Sequence, residues 1–215
     1  MTKKGFFITF EGGDRSGKST QAKYLADKLL KLKYDIVKTR EPGGTSLAEE
    51  QRNILLHSNT KFDALTEAYI FASARSSHTE YLNELMKENK IIVCDRFVHS
   101  SLAYQGVMRG LGIEFVKEIN EKALRGLNPD LTFLIEISEE EFLKRTNNSE
   151  IDRIEQDSMK LENFHKLNDA YRKIAELENN FIIINGDGEE NDIHEEILEI
   201  TLNKLEEKGY SKTLK

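Results

Sequence analysis

The chain has 215 residues, a formal net charge of −7 and a single cysteine. This length suits one α/β domain with a substantial core and argues against a second full domain. The negative charge argues against a broad nucleic-acid-binding surface. Cys94 alone cannot form an internal disulfide or a cysteine-based zinc site.

The start of the chain and its hydropathy predict where the protein works. Met-Thr-Lys-Lys leads straight into the first predicted strand, and no apolar run approaches the roughly 18 residues of a membrane span. We therefore expect a cytoplasmic protein with no membrane partner.

A phosphate-binding loop lies near the beginning of the chain. The apolar run Phe6–Phe10 predicts a buried parallel strand, and Gly12-x-x-x-x-Gly17-Lys18-Ser19 follows it directly. Glycines let consecutive backbone N–H groups point at an anion, and the next helix adds its positive end. Lys18 is then placed to reach the β- and γ-phosphates, and the Ser19 hydroxyl to ligate Mg²⁺. We expect the whole turn to hold a nucleoside triphosphate: Gly12, Gly13, Asp14, Arg15, Ser16, Gly17, Lys18, Ser19 and Thr20.

The predicted helix after this loop runs from about Lys18 to Lys33. Its apolar side chains recur at helical spacing and are expected to pack on the sheet. They are Ala22, Leu25, Ala26, Leu29 and Leu30. A second strand, from Tyr34 to Thr39, ends in Arg40-Glu41-Pro42-Gly43-Gly44, a loop at the edge where open α/β sheets bind ligands. Thr45 or Ser46 then caps a short predicted helix that runs through Leu56 and carries Arg52.

A long helix is predicted from about Asp63 to Asn89. Phe71 and Arg75 lie four residues apart on one face, which suits stacking on a base and hydrogen bonding to it. The alternative is that Phe71 belongs to the core and that Arg75 pairs with a carboxylate. From the spacing alone, this alternative is favoured.

The third predicted strand, Lys90 to Cys94, ends in Asp95-Arg96 at the same edge as the phosphate loop. Asp95 is a candidate for organising Mg²⁺, and Arg96 for gripping a phosphate. Ser100 to Gly106 then offers Gln105, whose amide carries a donor and an acceptor that suit a pyrimidine edge. A solvated transition from helix to loop explains this segment equally well.

The rest of the chain continues the alternation of helices and strands. A helix is predicted over Gly112–Leu127, ended by Pro129, and a strand over Leu131–Ile137. The capping box Ser138-x-x-Glu141 begins the next helix, which ends near Arg145. The last three predicted elements are a helix with Phe164, Leu167, Tyr171 and Ile174, a strand over Phe181–Ile184, and a helix with Ile193, Ile197 and Ile200. The acidic run Asp187–Asp192 is interpreted as a solvated loop, and the residues from Tyr210 onward as a frayed tail. This order predicts an α/β fold of the P-loop kinase kind, a five-stranded parallel sheet with helices on both faces.

The arginines near the loop narrow the class of protein. No Asn-Lys-x-Asp guanine signature is present, and a motor or transport ATPase is normally longer. Several arginines on loops around the phosphate loop indicate a second anionic ligand. We therefore expect a small nucleotide or metabolite kinase.

Seven short motifs occur in order over nearly the whole chain. They are Asp14–Thr20 (DRSGKST), Thr39–Gly44 (TREPGG), Phe71-x-x-x-Arg75, Asp95-Arg96-Phe97, Ser100–Gly106 (SSLAYQG), Pro129-Asp130-Leu131-Thr132 and Asp152-Arg153-Ile154-Glu155. In this combination the chain resembles the thymidylate kinase family. The resemblance implies that ATP and dTMP meet head to tail above the sheet, and that Mg²⁺ assists transfer of the γ-phosphoryl group to give dTDP and ADP. It also implies a homodimer.

The resemblance assigns roles to individual residues. It implies that Phe71 stacks on thymine, that Arg75 hydrogen-bonds the O4 edge, and that Gln105, with Ser100 nearby, meets the N3 side. Arg96 would hold the acceptor phosphate with Arg52 close by. The sugar and pocket positions are Asp14 at the 3′-hydroxyl, Tyr104 in the space of a 2′-hydroxyl, and Glu41 and Pro42 along the nucleoside.

The residue types also predict which arginine assists the transfer. Transfer between two anions needs a cation on the moving phosphoryl group, and a guanidinium can bridge its oxygens. The stretch Thr146–Ile151, within a lid segment of about 146–152, has no Arg or Lys, so we assign this role to Arg15, with Arg153 as the competitor. The alternatives are another nucleotide or nucleoside kinase on this fold, and a P-loop module without catalytic activity.

Overall fold

A five-stranded parallel sheet forms the centre of the computed structural model, which describes residues 5–57, 61–146 and 160–210. The strands are β1 (Phe6–Glu11), β2 (Ile36–Arg40), β3 (Ile91–Asp95), β4 (Leu131–Glu136) and β5 (Phe181–Asn185). Their order across the sheet is β2-β3-β1-β4-β5, and all four neighbouring pairs are parallel. The predicted fold class is confirmed.

The helices connect the strands and cover both faces of the sheet. Within the described residues they are α1 (Lys18–Lys31), α2 (Ser46–His57), α3 (Ala64–Lys87), α4 (Val98–Ser101), α5 (Ile113–Leu124), α6 (Glu139–Thr146), α7 (Leu161–Glu176) and α8 (Glu190–Glu207). After α4 the helix continues over Leu102–Met108 with wider π-type turns. The Asp63 side chain caps α3 by accepting from Thr66 N at 2.7 Å, and Ser138 caps α6 by accepting from Glu141 N at 3.2 Å.

Alternation along β1 explains why both faces are covered. Phe6, Ile8 and Phe10 point into a cluster with α1 and α8, whereas Phe7 points into a cluster with α3 on the opposite face. Because side chains alternate along a strand, a strand that is buried at every position must be covered on both faces. All six residues of β1 are buried, four of them phenylalanine or isoleucine.

The register brings three strand ends to one edge of the sheet. Phe10 of β1 and Arg40 of β2 both lie opposite Asp95 of β3. β1 lies between β3 and β4, so the order of the strands along the chain reverses at this position in the sheet. Ligands bind at such a switch point, outside the carboxyl ends of the strands.

Several predicted boundaries were wrong, each for a local reason. α5 ends at Leu124 because Arg125 (φ 50°) and Gly126 (φ 77°) adopt left-handed backbone, which stops the helix before Pro129. β2 begins at Ile36 rather than Tyr34. The acidic run predicted as a loop contributes Glu190 and Asp192 to the first turn of α8, where negative charge stabilises a helix.

Two predicted burial states were also wrong. Leu30 is 60% exposed, because α1 presents to the core only the stripe that includes Leu25, Ala26 and Leu29. Tyr210 was predicted as part of a frayed tail, but its ring packs edge-on against Phe6 with centroids 5.8 Å apart. The predicted lid lies outside the described residues, apart from Thr146 at the end of α6.

Among the described helices, none combines the length and apolar character needed to cross a membrane.

Candidate active site

The phosphate loop follows β1 and leads into α1, as predicted. Gly12 (φ 140°) and Gly17 (φ 94°) adopt backbone angles that residues with a Cβ rarely tolerate. A Cβ at Gly12 would also collide with the carbonyl oxygen of Ile135 on β4. Arg15 adopts φ 67° without being glycine, a backbone conformation that few other residue types adopt.

Lys18 is the buried cation of this loop. Its side chain is 7% exposed, and Nζ donates to the Gly13 carbonyl at 3.2 Å and lies 3.9 Å from Asp14 Oδ1. Burial lowers the pKa of Lys18, and the nearby Arg96 charge lowers it further. A polyanion bound at this position would favour the charged form of Lys18 and so oppose the effect of burial on its pKa.

Two cavities meet at the phosphate loop. The inner cavity has a volume of about 170 Å³ and is lined by Asp14, Lys18, Ser19, Arg40, Glu41, Pro42, Arg52, Leu56, Phe71, Arg75, Asp95, Arg96, Phe97, Ser100, Ser101, Tyr104 and Gln105. The outer cavity has about 590 Å³ and is lined by Arg15–Gln21, Ile135, Glu141, Lys144, Arg145, Gly186–Glu190 and Ile193. Lys18 and Ser19 line both, so a group held at these residues is accessible from either side.

Arg96 is the cation at the floor of the inner cavity. Its Nη2 atom pairs with Asp14 Oδ1, and Nη1 donates to the Gly12 carbonyl at 3.2 Å. Tyr104 donates its hydroxyl to the other Asp14 oxygen at 2.8 Å, and burial raises the pKa of Tyr104 well above its usual value, so it remains a donor. Arg96, Asp14 and Tyr104 are thus held as one unit.

Glu11 supports Arg96 from below and was missed by the sequence reasoning. Its carboxylate accepts from Phe97 N at 2.8 Å, from Ser100 Oγ at 2.6 Å and from the Tyr171 hydroxyl at 3.3 Å. Ser100 Oγ in turn accepts from Arg96 Nη1 at 3.1 Å. An acidic residue at the end of an otherwise apolar buried strand was the signal that could have identified it.

Burial makes the Glu11 carboxyl hard to ionise. The pKa of Glu11 is raised from 4.5 to about 7 by burial, against the opposing hydrogen bond from Ser100. His99 lies 3.8 Å away, but burial lowers its pKa to about 3, so this ring is neutral and does not compensate the carboxylate. The charge of Glu11 therefore changes near neutral pH.

Arg75 is fixed by a buried network. Nε donates to Glu41 Oε2 at 2.8 Å, Nη1 donates to Ser101 Oγ at 3.0 Å and to Asn120 Oδ1 at 2.5 Å, and Nη2 donates to the Phe97 carbonyl at 3.2 Å. The residue is 2% exposed. The carboxylate pairing that the spacing favoured is therefore present, although Arg75 also lines the inner cavity.

Glu41 joins Arg75 to a histidine. Its Oε1 atom lies 2.9 Å from His78 Nδ1, and His78 Nε2 lies 2.8 Å from Thr39 Oγ1. Burial alone would raise the pKa of Glu41, but the Arg75 guanidinium and His78 together hold it below its ordinary value. The carboxylate stays ionised and keeps Arg75 in place.

The remaining predicted residues of the acceptor side lie around the same cavity. Phe71 is only partly buried, so it is not the core residue of the alternative interpretation. Gln105 is 1% exposed inside the π-type segment, which excludes the solvated loop. Arg52 donates to the Pro42 carbonyl at 2.9 Å and holds the loop after β2 against α2.

Asp95 and Ser19 are the predicted metal ligands. Both line the inner cavity, and Ser19 is exposed to it. Asp95 Oδ1 is buried without a hydrogen-bond partner among the described residues. Such an atom is costly to bury unless a cation or ordered water reaches it, so these oxygens fit a Mg²⁺ ion. Among the described residues, this site included, no group of three or more His, Cys, Asp or Glu side chains forms a metal cluster.

Arg145 is the second residue that the sequence reasoning missed. Its Nη1 atom donates to the Arg15 carbonyl at 2.9 Å, and Nη2 donates to the Gly186 carbonyl at 2.8 Å, while Glu141 accepts from Nε at 2.7 Å. It therefore joins the phosphate loop to the loop after β5 and lines the outer cavity. Its position directly before the predicted lid was the available signal. Arg153 and the rest of that segment lie outside the described residues.

Comparisons with known proteins agree over most of the chain. Residues 10–197 match the family model described as thymidylate kinase. A thymidylate kinase of Thermoanaerobacter sp. (strain X514) is 44% identical over 200 residues, which make up 92% of this chain and 97% of that protein. One of Finegoldia magna is 42% identical over 198 residues, or 90% of this chain and 96% of the relative.

A solved structure resembles the whole arrangement. The crystal structure of thymidylate kinase from Ehrlichia chaffeensis superposes with a TM-score of 0.76 at 31% sequence identity. The match covers 92% of this chain and 99% of the other.

Proposed function

This chain belongs to the thymidylate kinase family, and we propose that dTMP occupies the inner cavity and ATP the outer one. Members of this family transfer a phosphoryl group from ATP to dTMP in dTTP synthesis, and this chain does the same. The observation that carries this placement is that Lys18 and Ser19 line both cavities. The phosphoryl group would cross at that junction. A non-catalytic P-loop module is not favoured.

The nucleoside of dTMP is proposed to bind between α3 and the π-type segment. Phe71 would stack on the thymine ring, Arg75 would reach the O4 edge, and Gln105 would meet N3–H. Four of the five N–H groups of Arg75 already donate within the protein, so at most one N–H group is left for O4. Glu41 and Pro42 would line the nucleoside from the other side.

The sugar and acceptor phosphate are proposed to lie over the unit formed by Arg96, Asp14 and Tyr104. Arg96 would hold the phosphate with Arg52 nearby, Asp14 would approach the 3′-hydroxyl, and Tyr104 would fill the space that a 2′-hydroxyl needs. In support, the Tyr104 hydroxyl is fixed on Asp14 at 2.8 Å, which leaves its ring with little freedom to retreat. Ser100 would act close to Arg96, since its hydroxyl bonds that side chain.

The chemistry proposed for this site is positioning and charge neutralisation. The acceptor phosphate is already a nucleophile, so no covalent intermediate with the protein is needed. Arg96 would neutralise the acceptor, and Lys18 and Arg15 the transferring group. Ser19 and Asp95 would hold Mg²⁺, which when bound neutralises and orients the donor phosphates. The segment of about 146–152 is proposed to close over them and exclude water.

The assembly and location are proposed as a cytoplasmic homodimer of one-domain chains. The support for a dimer is a set of exposed apolar side chains on α2 and α3, which is the kind of patch that subunit interfaces bury. They are Leu47, Ile54, Leu65 and Tyr69. Cytoplasmic location rests on the sequence, and the buried free thiol of Cys94 is compatible with a reducing compartment.

The test of the proposed site is an ADP-release assay over a panel of nucleoside monophosphates. We expect dTMP to be the best acceptor and AMP and GMP to be poor, because a wrong base leaves buried polar groups unpaired at about 1–3 kcal/mol each. Phe71→Leu should raise KM for dTMP roughly tenfold through lost stacking, while Tyr81→Leu, elsewhere on α3, should leave it unchanged. Equal turnover of AMP, or equal KM in both variants, would contradict the placement.

A further inference from the structure

Glu67 binds the amide that is proposed to meet the base. Gln105 Nε2 donates to Glu67 Oε1 at 2.8 Å, although the two residues lie 38 positions apart. Glu67, Phe71 and Arg75 succeed one another at four-residue steps on α3, so they share one face. Glu67 is 5% exposed and does not line the inner cavity, whereas Gln105 does.

Chemistry determines which way the Gln105 amide points. An ionised carboxylate only accepts hydrogen bonds, so the NH₂ group of the amide must face Glu67. This conclusion does not depend on how the nitrogen and oxygen were assigned. Arg109 Nε donates to the same Glu67 oxygen at 3.3 Å, so this oxygen accepts from two side chains at once.

The amide therefore has a fixed polarity. Glu67 takes one of the two Nε2 hydrogens and holds the nitrogen side of the amide, so the Oε1 atom, the amide's only acceptor, is turned away from Glu67 and can meet a donor in the cavity. An acceptor there matches a base whose N3 carries a hydrogen, as in thymine and uracil. It opposes the N3 lone pair of cytosine, because two acceptors then face each other in a buried site.

We propose that Glu67 determines pyrimidine selectivity by orienting Gln105, so that nucleotide substrates with an unprotonated N3 are rejected. This inference rests on the proposed contact between Gln105 and N3. Glu67 is a positioning residue in this scheme, since it acts on the substrate only through the amide.

The probes are two nucleotides that keep the 5-methyl group of dTMP. 5-Methyl-dCMP has an acceptor at N3 and an amino group at C4. The 5-methyl-2-pyrimidinone deoxyribonucleoside monophosphate has the same N3 acceptor and no substituent at C4, so it isolates the N3 contact from Arg75. The readout is kcat/KM for each probe divided by kcat/KM for dTMP, in the ADP-release assay. A general loss of stability or activity cancels in this ratio.

Glu67→Gln is the first variant, because its carboxamide can donate as well as accept and lets Gln105 turn over. We expect both ratios to rise roughly tenfold. Glu67→Met, which keeps the length and removes both oxygens, should act in the same direction and serves if the first variant does not fold. Glu84→Gln removes a charge from an exposed position of the same helix and should leave the ratios unchanged.

Gln105→Ala separates failure of this inference from failure of the contact beneath it. We expect Gln105→Ala to raise the ratios, and Glu67→Gln to add nothing in that background. If Gln105→Ala leaves the ratios unchanged, the proposed Gln105 contact is wrong. The role of Glu67 is overturned if Gln105→Ala raises the ratios but the Glu67 variants do not. It is also overturned if the Glu67 variants reduce kcat/KM equally for dTMP and for both probes.

Discussion

Two arginines of this site have an unusual backbone conformation. Arg15 and Arg96 both have φ 67°, a conformation that few residues other than glycine adopt. Arg15 belongs to the phosphate loop, and Arg96 lies beside it, where its side chain contacts Asp14 and the Gly12 carbonyl. Such strain is retained where the surrounding structure and the function require it.

Arg15 is expected to be the arginine that stabilises the transferring phosphoryl group. By analogy with other arginine fingers, Arg15→Ala should lower kcat on the order of 10³–10⁵-fold. KM for dTMP should change much less, because the lost contact is strongest in the transition state. Steady-state kinetics with both substrates measure this.

Two other arginines serve as comparisons for Arg15. Arg153→Ala should reduce kcat less than Arg15→Ala. Arg145→Ala should also reduce it less, because Arg145 contacts backbone carbonyls of the two loops around the outer cavity. A nearly active Arg15→Ala enzyme beside an inactive Arg153→Ala enzyme would reverse the assignment.

Glu11 should make stability depend on pH in a defined window. Its folded-state pKa of about 7 lies above the ordinary 4.5, so the group contributes stability that is fully present below about pH 4.5. That contribution is lost as the pH rises to about 7, and it amounts to something on the order of 3 kcal/mol. Glu11→Gln cannot ionise, so its stability relative to wild type should increase between pH 5 and pH 8.

Urea unfolding of wild type and Glu11→Gln at four pH values measures this difference. Glu84→Gln, which changes an exposed carboxylate on α3, should run parallel to wild type over the same range. Parallel curves for Glu11→Gln as well would show that Glu11 keeps an ordinary pKa in the folded protein.

At the scale of the element, α1 shows how a helix divides adjacent leucines between core and solvent. Leu29 is fully buried against the sheet, and Leu30 is 60% exposed. Leu29→Ala should lower the free energy of unfolding by about 2–5 kcal/mol through lost contacts and a cavity. Leu30→Ala should change it by no more than about 0.5 kcal/mol. Denaturant unfolding of the pair measures both, and equal losses would contradict the described orientation of α1.

At the scale of the molecule, the exposed patch on α2 and α3 predicts a dimer. We expect the wild type to sediment as a dimer, and Leu47→Glu combined with Tyr69→Glu to give a folded monomer, because charge on an apolar interface opposes association. Leu30→Glu is the control, since Leu30 is 60% exposed, against 52% for Leu47 and 53% for Tyr69, but lies on α1. Analytical ultracentrifugation decides, and a monomeric wild type would contradict the proposal.

Patterns local in the chain were predictable from sequence. The phosphate loop is a strand, a glycine-rich turn and the start of a helix in succession, so the fifteen residues Phe6–Thr20 specify it. Every described strand and long helix was also predicted, because hydrophobic periodicity reflects which faces are buried. The boundary errors fell at the ends of elements, such as α5 ending at Leu124, where the left-handed backbone of Arg125 outweighs the periodicity.

The sequence by itself thus determined the elements, the phosphate loop and, through its ordered motifs, the family. Only the tertiary structure decided which side chains meet: Glu11 with Tyr171 160 positions later, Arg145 with the Arg15 carbonyl 130 positions earlier, and Glu67 with Gln105. Hydrogen bonds and ion pairs act over a few ångströms, so they depend on the strand order and helix packing that bring distant residues together. No pattern of spacing along the chain records those distances.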